Sequence, residues 1–311
     1  MNDLFSSIPG VAEVRANEPL SRHTTFQIGG PCDVMVFPET AEALADVIRV
    51  CSEEDQPYFV LGKGSNVLVS DQGIRGVVIA TERLQRLVVD GTTVTASAGL
   101  SLINVSKACA ELGLSGLEFA SGIPGSVGGA AYMNAGAYDG EMKDVVTSVT
   151  VLDESGLIRD IPAEDMHFSY RHSRFKDEPI VCLAVTMQLQ YGDKAEILAK
   201  IADLTERRSS KQPLEMASAG STFKRPTGHY AGPLIIDAGM QGYHIGGAQV
   251  SMKHAGFLVN TGGATADDVI RLIHAVQSAV LRKFGVRLET EVRFIGEWED
   301  HPLYHEIMMV D

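Results

Sequence analysis

The stretch GIPGSVGGAAYMNAGAYDG, from Gly122 to Gly140, places Gly122, Gly125, Gly128, Gly129, Gly136 and Gly140 within 19 residues. Each glycine loses more backbone freedom on folding than any other residue. Such density is costly unless the backbone must turn with positive φ or approach a ligand closely. Consecutive N–H groups can then line a concave nest for phosphate oxygens. A second glycine loop, Leu61-Gly62-Lys63-Gly64-Ser65-Asn66, stands earlier in the chain. Either loop alone reads equally well as a tight connection in an α+β protein. Together they point to a nucleotide site holding a diphosphate-bearing cofactor or substrate. The earlier loop is not a Rossmann fingerprint, which needs G-x-G-x-x-G opening a helix after a strand. Here Val67 takes the third glycine position, and Val67–Val69 reads as extended.

Working outward, Val34–Phe37, Tyr58–Leu61 and Gly76–Ala80 read as strands. Between the first two, Thr40 can cap a helix that turns Leu44, Val47, Ile48 and Cys51 inward. Asp90-Gly91 signals a hairpin between Leu87–Asp90 and Thr93–Ala96. A helix from Ser101 then stops at Gly113. After the long glycine loop, Val149–Asp153 and Ile180–Gln188 read as strands, and Asp193-x-x-Glu196 is a capping box for a helix ending near Arg208. Past Lys211 the pattern changes. Leu234–Asp237, Ala248–Ser251, Phe257–Asn260 and Glu291–Ile295 are expected as short strands. Thr265-x-x-Asp268 opens a long helix with Val269, Leu272, Ile273, Val276 and Val280 on its buried stripe. Strands and helices mix without steady βαβ alternation, so the fold class is α+β. Expected boundaries are 1-82, 83-210 and 211-311.

Composition narrows the function. Among 311 residues, 45% are hydrophobic and 21% charged, an ordinary globular balance with ample material for two or three cores. A formal net charge of −14 argues against nonspecific nucleic-acid or anionic-membrane binding. It still permits a local phosphate pocket built from Lys211, Lys224 and Arg225. Cys32, Cys51, Cys109 and Cys182 form no CxxC and sit among apolar residues, so reduced core thiols are expected rather than metal ligands. MNDLFSSIPG has no basic n-region and no apolar h-region, and no apolar run approaches a bilayer span. A cytoplasmic protein is expected. His301 and His305 lack a third ligand; no metal is expected, and their tail reads as a solvated, fraying segment.

Six further segments carry a resemblance. They are His23-Thr24-Thr25-Phe26-Gln27-Ile28-Gly29-Gly30, Gly136-Ala137-Tyr138, Ser169-Tyr170-Arg171, Ala219-Gly220-Ser221-Thr222-Phe223-Lys224, Lys253-His254-Ala255-Gly256-Phe257 and Glu291-Val292-Arg293-Phe294-Ile295-Gly296. With the paired loops, they resemble the UDP-N-acetylenolpyruvoylglucosamine reductase family, in its shorter subtype. That family belongs to the p-cresol methylhydroxylase and vanillyl-alcohol oxidase class of FAD-binding proteins. The resemblance implies a three-domain flavoprotein with a split FAD-binding module and a C-terminal substrate domain. It implies noncovalent FAD, NADPH as hydride donor, and reduction of UDP-N-acetylglucosamine enolpyruvate to UDP-N-acetylmuramate in peptidoglycan precursor synthesis. Another FAD oxidase or dehydrogenase, or a catalytically lapsed UDP-sugar binder, is the alternative. The oligomeric state stays open.

The resemblance also assigns residues. Gly62, Lys63, Gly64, Ser65 and Asn66 would hold FAD on one side, with Gly122, Ile123, Pro124, Gly125, Ser126, Gly128 and Gly129 facing them. Arg171 and Glu291 would be the electrophilic pair, Glu291 as a protonated donor, and Ser221 the proton donor. Each also has a plain reading: a surface ion pair for Arg171, a turn cap for Ser221, a solvated strand edge for Glu291. The chemistry suits the assigned roles. Hydride addition to the β-carbon of an unsaturated carboxylate builds an enediolate, which a fixed cation and aimed donors stabilise; a proton must then reach the α-carbon. Tyr138, Lys211, Lys224, Arg225 and His254 would contact the UDP-sugar. Arg225 and His254 stand where the longer subtype carries asparagine and glutamine.

Overall fold

The computed structural model describes residues 2–308, so the last three residues of the expected 211-311 segment lie outside the described residues. The chain divides into two compact units. The first gathers Met1–Ala16, Val34–Lys63 and Gly76–Arg208; the second gathers Asn17–Asp33, Gly64–Arg75 and Ser209–Asp311.

The first unit holds two sheets. Strands β1 (Val11–Pro19), β2 (Pro31–Pro38), β3 (Tyr58–Leu61) and β5 (Ile74–Ala80) form one, ordered β1-β2-β5-β3. Helix α2 (Ala41–Glu53) covers it. Thr40 caps α2 by accepting from the Ala43 amide at 3.1 Å, satisfying one orphan donor of the first turn. Leu44, Val47 and Cys51 of α2 then bury against Val34, Val36, Val77 and Ile79. The second sheet is antiparallel, ordered β12-β11-β13-β7-β6, from β6 (Leu87–Asp90), β7 (Thr93–Ser97), β11 (Val146–Leu152), β12 (Ile158–Pro162) and β13 (Val181–Gln188). Helix α3 (Leu102–Glu111) packs Leu102, Val105 and Cys109 onto it, and α4 (Val127–Tyr132) adds Val127 and Ala131. Strand β12 carries four exposed residues of five, too polar a pattern to announce itself in sequence.

The second unit is built on a four-stranded antiparallel sheet, β15-β18-β17-β16, comprising β15 (Ala217–Ser221), β16 (His244–Ile245), β17 (Ala248–Val250) and β18 (Phe257–Asn260). Helix α7 (Ala266–Phe284) lies in its core. Thr265 and Asp268 open it as expected, forming a capping box, and Val269, Leu272, Ile273, Val276 and Val280 are all fully buried. Each such side chain contributes about 1.5–3 kcal/mol by leaving water. Strand β4 (Val67–Val69) pairs in parallel with β19 (Arg293–Ile295). The Asp71 carboxylate adds a second cap to α7, accepting from Ala266 at 2.8 Å and Asp267 at 3.0 Å. These ties draw residues 64–75 to the C-terminal unit, where the sequence had grouped them with 1-82.

Two expectations are corrected. Leu234–Asp237 is not a strand but part of helix α6 (Ala231–Asp237). Pro233 sits in its first turn, where a missing N–H costs nothing, and Leu234 and Ile235 face the core. The tail up to residue 308 is not frayed either. Trp298 and Ile307 are buried, His301 Nε2 meets the Asp267 carboxylate at 3.1 Å, and α8 (Tyr304–Met308) packs on α7. Among the described residues no three His, Cys, Asp or Glu side chains gather as a metal site, and no helix is long and apolar enough to cross a membrane. Burial pushes the thiols of Cys32, Cys51 and Cys109 up to about 11, so they remain protonated.

Candidate active site

In the first unit, β3 runs straight into Gly62, and a β-carbon there would stand 2.5 Å from the Ser126 Oγ. The two glycine loops therefore touch. Ser126 is buried and caps α4, its Oγ accepting from the Gly129 amide at 3.1 Å. The amides of Val127 and Gly128 donate to the carbonyls of Leu100 and Ala98, each at 2.9 Å. Gly128 is needed for this packing, because its β-carbon would lie 2.8 Å from that of Ala98. Gly122, Ile123 and Gly125 are half-buried, while Lys63, Pro124 and Gly129 are exposed. Gly125 adopts φ +142°, which a side chain would strain.

The residues here fit a phosphate-bearing flavin nucleotide. Beside Gly122, the Ser121 hydroxyl is buried with no hydrogen-bond partner. Unmet buried polar atoms are uncommon and call for a reason. The Arg208 side chain lies over Gly122, where a β-carbon would come within 2.9 Å of its Cδ. Burial lowers the pKa of its guanidinium, so an anionic neighbour is favoured there.

The same unit presents two left-handed turns. Strands β9 (Gly136–Ala137) and β10 (Gly140–Glu141) pair with Gly140 opposite Ala137. The connecting residues, Tyr138 at φ 50° and Asp139 at φ 67°, both take positive φ, as a type I′ hairpin requires. A tyrosine in that region stores strain on the order of 1–3 kcal/mol, and strained positions cluster at ligand sites. Tyr138 is 41% exposed, so its ring is available to a ligand. Arg171 also has positive φ, at 55°, and its guanidinium sits 5.1 Å from the Tyr170 ring centroid.

The second unit brings Ser221, Glu291 and Asn66 together. At Gly64, with φ +59°, a β-carbon would run into the His23 carbonyl and stand 2.8 Å from Thr24 Cα. The Gly64 carbonyl accepts from the Thr25 amide at 3.1 Å, which seats the loop on the His23–Thr25 motif. Asn66 Nδ2 donates to the Glu291 carbonyl at 3.2 Å, and the Asn66 carbonyl accepts from Arg293 at 3.0 Å. Ser65 is half-buried beside them. Ser221 closes β15, just after Gly220 at φ 75° and a register shift against β18. Such bulges re-aim a side chain near a site. The Thr222 carbonyl accepts from the Glu291 amide at 2.8 Å, which ties the residue after Ser221 to Glu291; the expected strand Glu291–Ile295 is shortened to Arg293–Ile295, with Glu291 in the segment leading into it.

The expected substrate cations are less uniform. Lys224 pairs with the Glu289 carboxylate, a partner the sequence reading did not single out. The Arg225 guanidinium stacks 4.0 Å over the Tyr230 ring, and Lys211 is exposed at the end of α5 (Lys194–Lys211). His254 Nδ1 accepts from the Gly256 amide at 3.2 Å, and the ring meets Phe257 edge-on at 4.9 Å. Burial lowers its pKa by penalising the imidazolium.

Comparison with known proteins agrees with this arrangement. Residues 32–161 match the FAD binding domain family, which is the vanillyl-alcohol oxidase and p-cresol methylhydroxylase class. Residues 212–295 match the family described as UDP-N-acetylenolpyruvoylglucosamine reductase, C-terminal domain. The UDP-N-acetylenolpyruvoylglucosamine reductase of Pediococcus pentosaceus is 50% identical over 92% of this chain and 95% of its own. That of Caldanaerobacter subterraneus subsp. tengcongensis is 50% identical over 95% of this chain and 98% of its own. The crystal structure of UDP-N-acetylenolpyruvylglucosamine reductase from Thermus caldophilus superposes with a TM-score of 0.78 at 35% identity, covering 91% of this chain and 98% of that one. With the curated relatives matched over nearly their whole length, the chain belongs to the UDP-N-acetylenolpyruvoylglucosamine reductase family.

Proposed function

We propose that the chain reduces the enolpyruvyl group of UDP-N-acetylglucosamine enolpyruvate to UDP-N-acetylmuramate, with NADPH as reductant and noncovalent FAD as cofactor, in peptidoglycan precursor synthesis. The observation that supports the residue roles is the 2.8 Å bond from the Glu291 amide to the carbonyl of Thr222, the residue after Ser221. When bound, FAD takes hydride from NADPH and supplies it to the substrate double bond.

The protein's own residues do the rest. Arg171 holds a fixed positive charge for the carboxylate on which negative charge grows, since a guanidinium does not deprotonate near neutral pH. Glu291, as the protonated acid, donates to the same oxygens. Ser221 delivers the proton that completes the α-carbon, and its hydroxyl is restored from solvent. Tyr138, presented on a strained hairpin, contacts the sugar nucleotide, with Lys211, Lys224, Arg225 and His254 on the diphosphate and uridine side. FAD would be held by Gly62, Lys63, Gly64, Ser65 and Asn66, and by Gly122, Ile123, Pro124, Gly125, Ser126, Gly128 and Gly129. The functional division into 1-82, 83-210 and 211-311 is part of the proposal. So is a cytoplasmic location, which the protonated, unpaired core cysteines and the use of NADPH support.

The deciding experiment is an anaerobic assay of NADPH oxidation with and without the enolpyruvyl substrate. Oxidation that requires the substrate, with UDP-N-acetylmuramate as product, supports the reading. No turnover in either anaerobic arm, with oxidation beginning only when oxygen is admitted, would make the chain an oxidase of the same FAD class.

A further inference from the structure

Asn134 lies inside the long glycine-rich stretch, fully buried and with a left-handed backbone at φ 41°. Its carboxamide is spent in three directions. Oδ1 accepts from the Lys143 amide at 2.9 Å, and Nδ2 donates to Glu141 Oε2 at 2.7 Å and to the Ser169 carbonyl at 3.0 Å. Glu141 belongs to the hairpin that presents Tyr138. The Ser169 carbonyl also accepts from the His172 amide at 3.1 Å, and the Ser169 amide donates back to the His172 carbonyl at 3.1 Å. Tyr170 and Arg171 are thereby set at the corner of a closed turn. On its other flank Ser173, also fully buried, donates from Oγ to the Tyr132 carbonyl at 2.6 Å.

The turn carrying Arg171 is thus fastened at both ends to residues 132–134. A loop that must hold an arginine in a left-handed conformation has every entropic reason to relax elsewhere. Two buried bonds oppose that relaxation, and breaking either leaves a carbonyl short of a donor. We propose that Asn134, together with Ser173, is a positioning residue for Arg171, fixing the guanidinium in step with the Tyr138 hairpin. The proposal rests on the catalytic role given to Arg171 above.

The test compares half-reactions of the holoenzyme in Asn134→Gly and Asn134→Asp, each alone and combined with Arg171→Ala. Glycine suits the left-handed backbone and removes the carboxamide. Aspartate also tolerates that backbone and keeps one acceptor, but turns a second acceptor toward Glu141. Flavin reduction by NADPH should stay at the wild-type rate. Reoxidation by the enolpyruvyl substrate should slow by about 10²-fold, the typical penalty for a misplaced catalytic group. In the Arg171→Ala background the Asn134 substitutions should cause no further loss, because residues acting through one another are non-additive. Full multiplicative loss in that background, or unchanged reoxidation in the single variants, overturns the proposal while leaving Arg171 in place. Wild-type reoxidation in Arg171→Ala alone overturns the catalytic reading itself. Should neither Asn134 variant retain flavin, Ser173→Ala cuts only the other fastening and decides by the same comparison.

Discussion

A β-carbon on Gly62 would stand 2.5 Å from the Oγ of Ser126, the residue that caps the helix of the other glycine loop. Gly62→Ala therefore pushes that hydroxyl off the Gly129 amide, which it now meets at 3.1 Å. Loss of such a cap costs about 1 kcal/mol, whereas a glycine cap costs only a few tenths. Flavin content, read as the ratio of flavin to protein absorbance, should fall in Gly62→Ala and recover in Gly62→Ala with Ser126→Gly. Full flavin and unchanged melting in the single variant would show that the loops do not depend on this contact.

Local signals were legible in the sequence, and distant ones were not. The capping box at Thr265 and Asp268, the stripe from Val269 to Val280 and the Thr40 cap on α2 are encoded within a few residues of where they act. The Asp71 cap on α7 spans 195 residues, and no local pattern announces it. Leu234–Asp237 failed for another reason: three apolar residues in a row fit a buried strand and a buried helical turn equally well. Gly128 was read as part of the FAD wall, and tertiary packing adds a second demand there, because a β-carbon would meet that of Ala98 at 2.8 Å. Residue types and order pointed to Arg171, Ser221 and Glu291 as the group proposed for catalysis. The left-handed backbone at Arg171 and the Glu289 partner of Lys224 depend on tertiary contacts.

Ser221 is expected to matter only after hydride has reached the substrate. Ser221→Ala should be reduced by NADPH at close to the wild-type rate and reoxidised very slowly by the enolpyruvyl substrate, both followed by stopped-flow absorbance. A variant that fails mainly in reduction would remove Ser221 as the proton donor.

His254 gives a pH dependence of stability. Its folded pKa lies below the ordinary 6.5, chiefly through burial, so between the two values the unfolded chain binds the extra proton. Stability then rises with pH through that window. The neutral ring's contribution is complete above 6.5 and is lost as pH falls toward the folded value. Melting temperatures of wild type and His254→Gln, measured from pH 5 upward (about 1.5 units below the free value), should converge at the acid end. A constant difference across that range would show that His254 titrates alike in both states.

Glu291 makes the sharpest division between two chemistries. It is half-buried, with its amide on the Thr222 carbonyl. A donor to the growing enediolate must carry a proton, since an ionised carboxylate would repel that charge. Removing one aimed donor typically costs about 10²–10³ in rate. Glu291→Gln keeps a donor at the same reach, whereas Glu291→Asp keeps the acid and withdraws it by one methylene. Reoxidation by the enolpyruvyl substrate should therefore be faster in Glu291→Gln than in Glu291→Asp, with flavin content and reduction by NADPH unchanged in both. Aspartate outperforming glutamine would assign proton transfer rather than donation to this position. Wild-type reoxidation in either variant would take Glu291 out of the mechanism, leaving Arg171 as the electrophile for the substrate carboxylate.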